Sequence, residues 1–164
     1  MPSRTAPRSA RLARRLVGLG VLLAACAPAA RAPAGRHVNP PGLVKPTGYT
    51  HVVVAADGRT VYVAGQVAFD SIGQVIGTGD FRAQTEQVFA NLRRALASVD
   101  ASFGDVVKTT TYLTDPAQGA LVRESRAKYF DPNRPPANTL VPVPALARPE
   151  LLIEIEAVAV LPRR

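Results

Sequence analysis

The chain has 164 residues, 47% of them hydrophobic, with one cysteine, two histidines and a formal charge of +8. That length supports one domain with a real core, a single cysteine excludes an internal disulfide, and so few thiols and imidazoles exclude a zinc-type cluster. The charge is concentrated in Arg4, Arg8, Arg11, Arg14 and Arg15, and beyond residue 25 the remaining 15 basic residues face 12 acidic ones, a net of +3 that gives no footprint for nucleic acid.

The arginines are followed by an apolar run, Leu16 to Ala25 (LVGLGVLLAA), and then by Cys26. This is the layout of a secretory signal peptide, and its apolar run is too short to span a bilayer. Leu23-Ala24-Ala25-Cys26 resembles the bacterial lipobox, in which the cysteine is lipidated and becomes the new N-terminus. Residues 1–25 are therefore expected to be removed, leaving an exported lipoprotein held by Cys26 at a membrane surface, facing the periplasm or the cell exterior. The alternative is a leader cut after Ala30 or Ala34, with Cys26 discarded. Residues 26–46, rich in Ala, Pro and Gly, read as an extended spacer with His37 solvated inside it. The domain is expected to occupy residues 47–164.

Thr50–Ala55 and Thr60–Gln66 are β-branched runs on either side of Ala56-Asp57-Gly58-Arg59, a pattern that predicts a hairpin with His51 facing outward. Gly65 interrupts the second run, where a Cβ would be harmless unless something approaches the backbone closely. Gly77-Thr78-Gly79 has no strand leading into it and reads as turn chemistry, not as a phosphate cradle. Asp80 then offers an N-cap to a helix running to about Val99, with Val88, Phe89, Leu92, Leu96 and Val99 as its apolar stripe. Asp105–Leu113 predicts a third strand, closed by Pro116. Gln118–Phe130 predicts a second helix burying Leu121, Val122, Ser125 and Tyr129, and Asp131–Pro136 leads into two final strands. The predicted order is ββαβαββ, an α+β arrangement with one sheet covered by two helices.

The last strand carries the candidate chemistry. Ile153, Ile155, Ala157 and Ala159 share one face, and Glu154, Glu156, Val158 and Val160 share the other. The two carboxylates stand about 7 Å apart along that face. If partly desolvated they acquire pKa values suited to proton transfer; the other reading places them on the wet side of an antiparallel sheet. With no nucleophile elbow and no P-loop, the remaining candidate is a site built from carboxylates alone.

Several blocks, taken in order, carry a resemblance: VYVAGQV from Val61, QTEQVFANLRRAL from Gln84, DVVKTTTYLTD from Asp105, RAKYF from Arg126, and the C-terminal run from Pro136 through IEIEA to Val160. Together they resemble the RidA/YjgF family of reactive-intermediate deaminases. The resemblance implies a chorismate-mutase-like fold, a homotrimer with pockets between neighbouring subunits, and no cofactor. It also implies hydrolysis of a small enamine or imine to a carbonyl compound and ammonia. Glu154 matches the family glutamate that holds the attacking water, Gly65 and Tyr49 border the pocket, Thr139 and Leu140 present backbone groups to the ligand, and Glu156 stands behind the site or at an interface. Asn138 stands where the family has an arginine that grips the substrate carboxylate. A charge-assisted hydrogen bond contributes about 1.5–3 kcal/mol against about 1 for a neutral one, so this exchange costs one to two orders of magnitude in binding unless another cation replaces the arginine. Arg148 and Arg134, in loops flanking the short strand, are the candidates. A non-catalytic trimer that binds a small molecule at a membrane surface is the alternative function.

Overall fold

The computed structural model describes residues 33–163; the expected signal peptide and Cys26 lie outside the described residues. The elements are β1 (Gly35–Val38), β2 (Val52–Ala55), β3 (Arg59–Gln66), α1 (Phe81–Ala97), β4 (Val106–Leu113), α2 (Gly119–Arg126), β5 (Ala137–Pro142) and β6 (Ile153–Leu161). Four strands form the main sheet in the order β3-β6-β4-β5. β6 lies antiparallel to both its neighbours, while β4 and β5 run parallel, and α2 supplies the crossover that a parallel pair needs.

β6 divides the molecule as its period of two predicts. Ile153, Ile155 and Ala159 are fully buried and Ala157 is 4% exposed, packed with Val88, Phe89, Leu92 and Leu96 of α1, Val122 of α2, and Leu113. Each of the isoleucine, leucine, valine and phenylalanine side chains among them contributes roughly 1.5–3 kcal/mol of burial. α1 starts where the sequence places it: Gly77 and Gly79 take positive φ in the preceding turn, and the Asp80 carboxylate accepts the Ala83 amide at 3.0 Å. It ends two residues earlier than expected, at Ala97, and Val99 is 39% exposed. The buried stripe ends at Leu96, the helix closes at the Ser98 cap, and Asp100, at φ 60, turns the chain away just after Val99.

Four expectations are corrected. The hairpin between β2 and β3 does not pair: β3 is zipped to β6, from Arg59↔Leu161 to Gln66↔Ile155. β2 pairs instead with β1, Gly35↔Ala55 to Val38↔Val52, in a separate two-stranded sheet. The spacer is accordingly shorter than residues 26–46, since four of those residues are a strand. The Pro- and Gly-rich setting hides it, and its partner lies well downstream, beyond the reach of a local pattern. The small sheet has a packing role, because Val53 covers Val107, Val158 and Val160 at one end of the glutamate face. His37 is not solvated: its Nδ1 lies 3.0 Å from the Pro135 carbonyl and 3.3 Å from Thr50 Oγ1. α2 is also shorter than predicted; a 3-10 turn (Pro116–Gln118) precedes it and single turns follow Arg126.

Candidate functional site

On β6 the glutamate face is ordered by register. Glu154 is opposite Tyr112 and Glu156 opposite Thr110 on β4, and both glutamates are half-buried. On the other side, the β3 ladder slips between Val63 and Gln66, and this irregularity brings the backbone of Gly65 under the Glu154 side chain. A Cβ at position 65 would lie 1.7 Å from Glu154 Oε1 and 2.6 Å from its Cδ. Only glycine leaves room there. The group that approaches this glycine is the carboxylate of the same chain.

Glu156 lines a cavity of about 360 Å³ on the same face, with Tyr62, Thr110, Val158 and Lys108. The Lys108 ammonium donates to Thr139 Oγ1. Burial holds the Lys108 pKa below its ordinary value; nearby Glu156 opposes that shift and Arg126 adds to it. Gly65 also borders a groove of about 870 Å³ between the end of β3 and α1. Polar groups of that groove serve the fold: Asn91 Nδ2 donates to the carbonyls of Val67 and Phe69 at 2.9 and 2.8 Å.

Asn138 is in β5 and pairs with Thr109 in the parallel ladder. Its Oδ1 accepts from Thr109 Oγ1 at 2.9 Å and from Arg126 Nη1 at 2.8 Å. Arg126 is 4% exposed. Its Nη1 also donates to Thr109 Oγ1 at 2.7 Å, its Nη2 to the Gly48 carbonyl at 3.4 Å, and its guanidinium lies 5.1 Å from the centre of the Phe130 ring. All three acceptors are neutral. Burial lowers the Arg126 pKa to about 10, which leaves it cationic at neutral pH. With Tyr49, Leu140 and Asn138 it lines a cavity of about 480 Å³.

The expected residues thus fall into groups. Gly65 and Glu154 meet; Asn138, Tyr49 and Leu140 meet around Arg126; Thr139 joins Lys108 on the glutamate face. Register places Asn138 on the helix side of the sheet, with buried Thr109 and Thr111, and Glu154 on the opposite side. Two strand spacings and three residues separate them, about 14 Å. Of four cavities formed among the described residues, one is lined by Asn138 and none by Glu154. Arg148 and Arg134 do not line the Asn138 cavity. Arg148 pairs with Glu150 at 3.3 Å and lies over Phe69, and Arg134 donates to the Gly35 carbonyl at 3.4 Å. The cation beside Asn138 is Arg126, which sequence reasoning missed. Its signal was present: it stands four residues after Val122 and three before Tyr129, on the stripe that α2 buries.

The sequence profile of the endoribonuclease L-PSP family, which includes the RidA/YjgF proteins, matches residues 43–161. The chain belongs to this family. Family relatives extend over nearly their whole length. A RutC family protein of Pyrococcus horikoshii is 38% identical over 116 residues, 70% of this chain and 89% of that protein. Among solved structures, the Rid family protein YyfB of Yersinia pestis, described as of unknown function, is 41% identical with a TM-score of 0.73, covering 78% of this chain and 99% of its own. RidA from an Antarctic Psychrobacter is 29% identical with a TM-score of 0.57, covering 78% and 98%. The α+β architecture of two helices on a mixed sheet is therefore the RidA/YjgF fold. β1 precedes the segment that the family profile matches.

Proposed function

We propose that this RidA/YjgF family member hydrolyses small reactive enamines or imines to a carbonyl compound and ammonia, with Glu154 holding the attacking water. The observation that carries the reading is the half-buried Glu154 carboxylate lying against the Gly65 backbone. A carboxylate placed there can accept a proton from water as the oxygen attacks the imine carbon. That proton passes to nitrogen to complete the carbinolamine; the same carboxylate then takes the proton of the new hydroxyl and delivers it to nitrogen, the C–N bond breaks, and ammonia leaves as the carbonyl forms. Such a substrate is already reactive, so positioning and one proton shuttle suffice. The separation of Glu154 from Asn138 on opposite faces supports a site completed between chains of the homotrimer that the family resemblance implies.

The test generates 2-iminobutanoate or 2-iminopropanoate with an amino-acid oxidase and follows release of the keto acid. Glu154→Gln should lower the enzyme-dependent rate by about 10²–10⁴. A variant as fast as the unaltered chain would assign the water to another group and overturn the mechanism.

A further inference from the structure

We infer that Arg126 is the carboxylate anchor of this chain, delivered from α2 to the place that an arginine at position 138 would fill from β5. The ligand class follows: a small imine or keto acid bearing a carboxylate. This deepens the proposed hydrolysis and rests on it for the substrate's reacting group, while the anchoring itself stands on separate observations.

The first is charge. Arg126 is 4% exposed, yet its partners among the described residues, Thr109, Asn138 and the Gly48 carbonyl, carry no negative charge. Buried cations are ordinarily paired, and one left without a carboxylate is poised for an anion from outside the chain. The second is donor count. Those bonds use both N–H groups of Nη1 and one of Nη2, which leaves the other Nη2 hydrogen and Nε–H of the guanidinium's five donors. The third is the cavity, whose lining includes Lys45 and Arg123 beside Arg126 but no aspartate or glutamate. A cleft of one sign attracts the opposite one. Its volume of about 480 Å³ lies within the range of small-molecule sites.

Asn138 completes the exchange. An arginine at 138 would set two guanidiniums against each other, whereas the asparagine offers Oδ1 to Arg126 and leaves its Nδ2 donors for the same anion. The family charge has moved from strand to helix, and the strand residue now orients it.

The test uses the full-length chain and titrates 2-oxobutanoate against its uncharged isostere 2-oxobutanamide by calorimetry. The unaltered chain should bind the carboxylate at least tenfold more tightly. Arg126→Gln should erase that preference, while Glu154→Gln should leave it intact. A chain with no preference for the carboxylate, or an Arg126→Gln variant that keeps it, overturns the inference. If Arg126→Gln does not fold, Arg126→Lys decides, because it keeps the charge and loses the fork. The carboxylate should then weaken about tenfold with the amide unchanged, and equal weakening of both would mark Arg126 as structural only. Loss of hydrolysis alone, with the preference still governed by Arg126, would sink the mechanism and spare the anchor.

Discussion

At the scale of single residues, the smallest change that should separate the site from the fold is one methyl group at position 65. In Gly65→Ala the new Cβ overlaps the end of a flexible side chain, so the Glu154 carboxylate swings out and the ladder can remain. The expected result is a folded chain with imine hydrolysis reduced about a hundredfold or more, read from the coupled assay beside a thermal melt. Loss of folding without a folded, slow variant would mean that the glycine serves the bulge alone. These residues show how much of the site was legible. Glu154 and Glu156 declared themselves through a period of two, and Gly65 through its presence inside a β-branched run. Arg126 was passed over because a charged residue on a buried stripe reads as a solvated one until its partners, Thr109 and Asn138, are brought from other strands. What was hidden depended on pairing across the chain.

At the scale of elements, α1 and the α2 end of the crossover are joined by one carboxylate. Glu86 on α1 accepts from Lys128 Nζ at 2.7 Å, Tyr129 Oη at 2.9 Å and Ser125 Oγ at 3.2 Å. The Lys128 bond holds its pKa below the ordinary 4.5, with burial opposing and Tyr129 and Ser125 assisting. A depressed carboxylate stabilises the fold at pH above 4.5 and stops doing so as pH falls through its folded value. Glu86→Gln should therefore lower stability at pH 7 by no more than about 1 kcal/mol, since the pair is partly solvated. That difference should narrow as both chains are melted at pH values stepped down from 4.5. A gap that stays constant over those steps would point to lost packing in place of charge. The elements were otherwise the most legible part of the chain: α1 followed from Asp80 and its apolar spacing, and β6 from its alternation. β1 was not legible, because four residues among prolines make a strand only when Val52–Ala55 is there to receive them.

At the scale of the whole molecule, one side of the sheet is closed by helices and the other is only partly covered, by Val53 of the small sheet. On that second side Tyr62 is 80% exposed, beside the Glu156 cavity. In the homotrimer proposed above, a site shared between copies would take its acid from one copy and its cation from the next. Glu154 and Arg126 belong to opposite sides of a single sheet, and that arrangement has a genetic corollary. Two alleles, Glu154→Gln and Arg126→Gln, each slow alone, should rescue one another when their products are unfolded together, mixed in equal amounts and reassembled. In rings that close head to tail, about a quarter of the junctions would inherit a sound half from each parent. Turnover above the mean of the two parents by that share would locate each reaction centre at a seam, and a mixture no faster than that mean would return both halves to one polypeptide.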